Sequence, residues 1–316
     1  MLKKVFMLLT AILFASNIFL SPIISAETKG KTQEAIGQNF EGDGTFIKFL
    51  NSLPQKKGEY KSSKRPILLE GAMNIEIDKF VHALKNPVVY NILNYVYIAG
   101  TYKNYPVIVA RTEQGMENSA AVTALAIENF NPIAVINQGI AGGHVADAQI
   151  NSIVIGNKFV NGSAYITEST PEGAGVKIVP HKMRGTFAYD EKSKIFQRYQ
   201  EYFSDPTLLK IAKEVAASNK NFVTLTGTIT SADSWNNGID HFKYLNETYG
   251  SLCEEMEGCA AAQICKSSNV PFIGIRSISN NAVISKDFHE ETALTSQNFV
   301  LLVVEKYIKK ISSKLT

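Results

Sequence analysis

Cysteine is scarce in this chain of 316 residues: there are three, Cys253, Cys259 and Cys265, all in one short stretch. Three clustered thiols exclude a disulfide scaffold and read as free, buried side chains. Cys259 and Cys265 fall six apart on an expected helix, which points them in different directions and holds them too far apart to bridge. An excess of one charge is lacking too, with 32 Lys+Arg against 29 Asp+Glu and a formal net charge of +3. No stripe of basic residues interleaved with aromatics occurs, which argues against nucleic acid or an anionic membrane as partner. The histidines, His82, His144, His181, His241 and His289, are scattered without metal-ligand spacing, so no metal is expected. The glycine run at 139–143 lacks the Gly-x-Gly-x-x-Gly spacing of a dinucleotide fold, and no Gly-x-Ser-x-Gly elbow occurs. No cofactor is expected, and no internal repeat stands out.

The one long apolar stretch lies at the start. Lys3 and Lys4 precede an apolar run from Val5 to about Leu20, and Ile24-Ser25-Ala26 offers a small-residue cleavage site before Glu27. That pattern reads as a secretory signal peptide over residues 1–26 and predicts a secreted, extracellular protein. A retained anchor is the rival reading, but a run interrupted by Ser16 and Asn17 falls short of the ~20 residues needed to span a bilayer. With no cysteine near the cut, lipid attachment there is excluded. Losing Lys3 and Lys4 brings the mature charge closer to neutral.

What is present is an ample core, with 45% hydrophobic and 19% charged residues. Residues 27–65 are polar and read as an N-terminal arm, with room for one helix around Phe46 to Leu53. From 66 to 316 the texture is that of a domain. Pro66-Ile67-Leu68-Leu69-Glu70 reads as a buried strand entering a tight turn, followed by a helix from about Glu76 to Leu84. Further strands are expected at Val88 to Ile98, Pro106 to Ala110, Ile133 to Ile136, Ile153 to Ile155, Phe222 to Thr226 and Phe272 to Ile275. Helices are expected at Ala120 to Asn129, Leu208 to Ser218, Glu257 to Ser267 and Thr292 to Ile311. Strands alternating with helices over this length predict an α/β fold, a sandwich around a largely buried sheet.

Five segments in consistent order carry a resemblance: Gly71-Ala72-Met73 with Glu76, Asn137-Gln138-Gly139-Ile140-Ala141-Gly142-Gly143, Ser231-Ala232-Asp233-Ser234-Trp235, Glu255-Met256-Glu257, and Arg276-Ser277-Ile278-Ser279. On these, residues 66 to about 311 resemble the nucleoside phosphorylase and nucleosidase superfamily, in particular its 5′-methylthioadenosine/S-adenosylhomocysteine nucleosidases. The resemblance implies a three-layer α/β/α sandwich with a central mixed sheet, a purine nucleoside as substrate, water as co-substrate and a homodimer.

Cleaving a ribose C1′–purine bond passes through an oxocarbenium-like species. It needs a nucleophile below the ring, a grip on the ribose hydroxyls and stabilisation of the departing base. The resemblance makes Glu76 the base that deprotonates water, although a first-turn glutamate favoured by the helix dipole would look the same from spacing alone. It makes Glu257 the clamp on the ribose diol, with Met256, Ile140 and Ser279 beside the substrate and Trp235 stacked on the purine; a lone tryptophan is otherwise most often core. Glu254 and Glu255 are expected in a first helical turn, and Ser231 and Asp233 in a structural turn.

The departure is Asn280, where the resembled nucleosidases carry an aspartate that protonates purine N7. An asparagine cannot be that acid, yet its amide donates to N7 or to a 6-oxo group. Two readings compete: specificity moved towards 6-oxopurine nucleosides, or binding without much turnover. Phosphate-using relatives hold their anion with several arginines and a serine on the glycine turn. Here that turn carries Asn137 and Ile140, and the nearby cation is Arg111, expected at the surface of a strand edge, so hydrolysis is favoured over phosphorolysis. The segment Asp287-Phe288-His289-Glu290-Glu291 falls where the family has a lid, and a solvated helix start explains it equally well. Residues 160 to 203 form a longer stretch than a compact nucleosidase needs, either an insertion at the site or a dimer edge.

Overall fold

The computed structural model describes residues 44–175, 181–190, 192–285 and 287–313. The expected signal peptide at 1–26, and the arm up to residue 43, lie outside the described residues. Two layers of helix enclose one large sheet because its central strands are apolar on both faces. β2 (Ile67–Gly71) shows the rule: all five of its residues are buried. Ile67 and Leu69 point into one core, and Leu68 points into the other. A strand with period-2 side chains and no polar face can only sit between two covering layers.

Preceding β2 are α1 (Thr45–Ser52) and β1 (Gln55–Lys56); following it are α2 (Asn74–Ala83), β3 (Lys85–Ile92), β4 (Tyr95–Tyr102) and β5 (Tyr105–Arg111). The expected helix near Phe46 is thus α1. Its Phe46 and Leu50 enter the first core while β1 pairs with β3, so the arm from residue 44 onward belongs to the packed body. The single strand expected from Val88 to Ile98 is a hairpin: β3 and β4 pair antiparallel, Ile92 facing Tyr95. Its turn hides in the sequence because Leu93, 78% exposed and at φ 56°, looks like a strand residue.

α3 (Met116–Phe130) leads into β6 (Ala134–Gly143), β7 (Ile153–Asn161) and the short strands β8 (Tyr165–Thr167), β9 (His181–Met183), β10 (Thr186–Asp190), β11 (Ile195–Tyr199) and β12 (Glu201–Phe203). β8–β9 and β10–β11 form two small antiparallel ribbons, which account for much of the long 160–203 segment. Then come α4 (Pro206–Ser218), β13 (Thr224–Ser231), α5 (Ile239–Tyr249), β14 (Ser251–Glu255), α6 (Gly258–Ser267), β15 (Phe272–Asn280) and α7 (Thr292–Ser312). α2, α4 and α7 cover one face with Phe80, Ile211 and Phe299; α3 and α6 cover the other with Val122, Cys259 and Cys265. Fully burying one such side chain stabilises by roughly 1.5–3 kcal/mol. The three cysteines are free and buried.

The eleven-stranded sheet is mixed. β6 pairs with both β14 and β15, β15 also pairs with β7, and β7 runs through β13 back to β14. This half therefore closes on itself like a small barrel, and it brings the ends of β6, β13, β14 and β15 together. β6 does not stop before its glycines, as expected, but runs through them. A Cβ at Gly139 would collide with Glu76 Oε1, and one at Gly143 would stand 2.6 Å from Asn281 Nδ2, so these positions are bare because neighbours pack against the strand itself. β14 likewise corrects the sequence reading of Glu254 and Glu255 as a first helical turn: both are strand residues, and α6 starts at Gly258.

Candidate active site

At the closed end of the sheet lies a pocket with about 720 Å³ of empty space, part of it open solvent. Glu76, Ile140, Trp235, Met256, Glu257, Ser279 and Asn280 all line it, so the seven residues singled out from the sequence converge in one place.

Glu76 is held there by local structure. As the third residue of α2 it reaches back to the helix start, where Oε2 accepts from the Ala72 amide (2.7 Å) and the Met73 amide (3.1 Å). Oε1 accepts from the Ile140 amide on β6 (2.9 Å). The capping glutamate and the pocket carboxylate are thus one residue. Burial raises its pKa above the ordinary carboxylate value, opposed by the Ile140 amide and by the positive charge of Arg276.

Glu257 sits where β14 turns into α6. Its Oε1 accepts from the amide of Gly115 (3.0 Å), the residue before α3, and its backbone carbonyl accepts from the Ser119 hydroxyl (3.1 Å). Burial first, then the charges of Glu255 and Glu76, pushes its pKa up to about 8. Asp233, expected in a turn, accepts from the Met116 amide (2.8 Å) and so caps α3 from a distant loop.

Beneath the pocket runs a network that spacing did not reveal. Glu255 pairs with the Arg276 guanidinium and accepts from the Ser231 hydroxyl and the Gly258 amide. Arg276, 1% exposed, also donates to the carbonyl and side-chain oxygens of Asn137. Asn137 donates to Glu70 Oε2 (3.1 Å), whose Oε1 accepts from Thr123 (2.8 Å). Burial pushes Glu70 up to about 7. Ser231, Asn137 and Glu255 therefore support the site from below.

Asn280 ends β15 at the rim. The Ser279 hydroxyl lies within hydrogen-bond distance of both Asn280 Oδ1 (2.9 Å) and the Ala141 carbonyl (3.3 Å), and Asn280 Nδ2–H is a donor at the pocket wall. Asn281 is no substitute: its amide donates to the carbonyls of Val145 and Ala148 and is spent on the loop. Trp235 is half exposed rather than core, and its ring lies 5.8 Å from that of Phe288, so part of the 287–291 segment does border the pocket. Arg111 is not a free surface cation. It donates to Glu113 (2.7 Å) and to Asn74 (3.1 Å), and among the described residues no lysine or arginine lines the pocket. His144, Phe242, Asn236 and Glu254 also line it and were missed; the histidine carried no partner in its local sequence. Among the described residues, no group of His, Cys, Asp and Glu is arranged to hold a metal ion.

A sheet closed into a barrel with a carboxylate-lined pocket at its end, between two helical layers, defines a nucleoside phosphorylase-like α/β enzyme. The sequence model of the phosphorylase superfamily matches residues 66–309. A 5′-methylthioadenosine/S-adenosylhomocysteine nucleosidase of Shewanella frigidimarina is 32% identical over 67% of this chain and 84% of its own length. One from a Geobacillus species is 29% identical over 77% of this chain and 99% of its own. A futalosine hydrolase variant of Helicobacter pylori superposes with a TM-score of 0.61 at 26% identity, over 77% of this chain and all of its own. The chain belongs to the phosphorylase superfamily, among its nucleosidases, which are N-glycosyl hydrolases.

Proposed function

We propose that the protein is a secreted purine nucleosidase that uses water and has shifted towards 6-oxopurine nucleosides. The observation that carries the reading is the convergence of two buried carboxylates, Glu76 and Glu257, with Met256, Trp235 and Asn280 in one pocket. Water attacks C1′ and gives its proton to Glu76, the C1′–N bond breaks, and the purine leaves with the bond's electron pair. Glu257 accepts hydrogen bonds from both ribose hydroxyls, charge-assisted contacts worth ~1.5–3 kcal/mol each. Three backbone amides fix Glu76 in place, so its orientation costs nothing at the moment of reaction.

The base preference rests on Asn280. With Ser279 beside Oδ1, the side chain has Nδ2–H to offer a ligand, and both N7 and a 6-oxo oxygen are acceptors. A 6-amino group finds a donor facing a donor. Hydrolysis is supported by the lack of lysine and arginine among the described residues that line the pocket, since a phosphate dianion needs cations. Secretion is supported by the basic start, apolar run and small-residue site at 1–26. A homodimer is supported by Phe187, Tyr189, Ile195 and Phe196, which leave the β10–β11 ribbon with an exposed apolar surface.

The test is release of free base from inosine, guanosine, adenosine, methylthioadenosine and futalosine, with and without phosphate, beside a Glu257→Ala control. Phosphate-independent release, fastest with 6-oxopurines and absent in the control, is expected. Nucleoside binding without any base released would overturn the reading.

A further inference from the structure

Three consecutive residues at the start of α3 each tie to a different part of the pocket. Gln114 Nε2 lies 3.4 Å from the sulfur of Met73, in the turn that holds Glu76. The Gly115 amide donates to Glu257 Oε1 (3.0 Å), and the Met116 amide donates to Asp233 Oδ1 (2.8 Å), two residues before Trp235. The water-activating turn, the ribose clamp and the base platform thus meet on one short segment.

Gly115 explains why the third tie comes from so far away. At φ 99° its amide meets Glu257 while its carbonyl accepts from the Ser119 amide (3.0 Å) and opens the helix. Glycine takes that backbone conformation at little cost, and an L side chain does not. A glycine also carries no side-chain oxygen, so α3 lacks the local acceptor that an N-cap serine or aspartate would give its first free amides. Asp233, 117 residues on in sequence, supplies one from the 231–236 loop.

The same first turn reaches the backbone of the clamp, since the Ser119 hydroxyl donates to the Glu257 carbonyl (3.1 Å). A shift of α3 therefore moves both the donor on the carboxylate and the strand-to-helix corner that carries it. The loop is fixed just behind Asp233, where the Ala232 amide donates to the Glu255 carbonyl (2.9 Å), whereas Trp235 beyond it is half exposed. Asp233 lies between the fixed part and the platform, and it is not among the residues that line the pocket.

We propose that Asp233 is a positioning residue that couples the two binding stations: a purine held against Trp235 fixes the loop, the fixed loop caps α3, and the capped helix keeps the Gly115 amide on Glu257. This rests on the nucleosidase reading, in which Trp235 bears the base and Glu257 the ribose diol. Occupancy of one station then tightens the other, and by linkage the effect is reciprocal.

The test is a double-mutant cycle on inosine binding, run on a Glu76→Gln background so that no bond is cut. Trp235→Ala and Glu257→Gln are expected to be non-additive by at least roughly threefold with Asp233 in place, and additive to within about twofold in Asp233→Ala. Asp233→Ala alone is expected to weaken inosine roughly three- to tenfold, the worth of a lost helix cap. Asp233→Asn keeps an Oδ1 acceptor and is expected to restore both the affinity and the coupling. A merely structural Asp233 would lower the melting temperature and leave the coupling where it was. Coupling that persists in Asp233→Ala, or its absence with Asp233 present, would overturn the proposal. Base release is scored separately on protein with Glu76 intact: release from inosine with the two stations uncoupled sinks the role of Asp233 and spares the nucleosidase, whereas coupling without release does the reverse.

Discussion

A glutamine at position 76 would present an N–H group where three backbone amides already donate. At least one of the Ala72, Met73 and Ile140 amides would lose its acceptor. Glu76→Gln is therefore expected to lower stability by about 1–3 kcal/mol, and to lower base release ~10²–10⁴-fold through loss of the general base. Denaturant unfolding and single-turnover base release read the two effects apart, and unchanged release would remove Glu76 from the chemistry. Asn280→Asp asks the opposite question. An acid restored beside Ser279 is expected to raise adenine-nucleoside cleavage by at least ~10² and to depress inosine cleavage. If the ratio of the two rates does not move, Asn280 does not read the base.

At the scale of elements, the start of α3 is what holds the ribose clamp. Gly115 lies at φ 99°, a conformation that an L side chain rarely adopts, and its amide is the one that meets Glu257 Oε1. An added Cβ would also stand 3.2 Å from Asp233 Oδ1, the group that caps the same helix. Gly115→Ala is expected to cost ~1–3 kcal/mol of stability through backbone strain. As α3 shifts, KM should rise more than kcat falls. Steady-state kinetics beside a thermal melt would show it; a wild-type KM in a destabilised protein would mean that α3 does not position Glu257. The glycines of β6 follow the same physics. They allow close approach of Glu76 and Asn281, which is why a glycine run that looks like a turn in one dimension is the C-terminal half of a strand in three.

For the whole molecule, the consequence is a shortage of buried positive charge. Glu70, Glu76, Glu255 and Glu257 share one buried guanidinium, Arg276, among the described residues. Glu257 is pushed up to about 8 and Glu70 to about 7, above an unfolded value near 4.5. Between those values the folded state holds protons that the unfolded state has released, so stability falls as pH rises. Their contribution is complete below about pH 4.5 and is lost as pH climbs through 7 and 8. Urea melts from pH 5 to 8.5 on unliganded protein are expected to show that decline, and Glu257→Gln and Glu70→Gln should each flatten it. A slope unaffected by both substitutions would mean that the two carboxylates titrate normally. Ribose binding favours the ionised clamp, so kcat/KM should fall as pH drops below about 8 in the same protein.

Much of this was fixed by the chain in one dimension. Strands apolar on both faces, such as Ile67 to Leu69, can only lie between two helical layers, and Glu76 and Glu257 stand out through the family resemblance of the segments that carry them. Asn280 announced its departure by residue type alone. What only the tertiary structure decided depends on partners far apart in sequence. Glu255 looks like one acid of a helical turn until Arg276, twenty-one residues on, is laid beside it by β14 and β15 packing around β6. His144 looks idle until it is laid beside Ser251 in the pocket wall, and Glu254 until pairing with Gly142 sets it in the same wall. The reason is physical: helix and strand periodicity act over a few residues and are written locally, whereas strand register and buried charge pairing are settled only when distant segments are forced into contact.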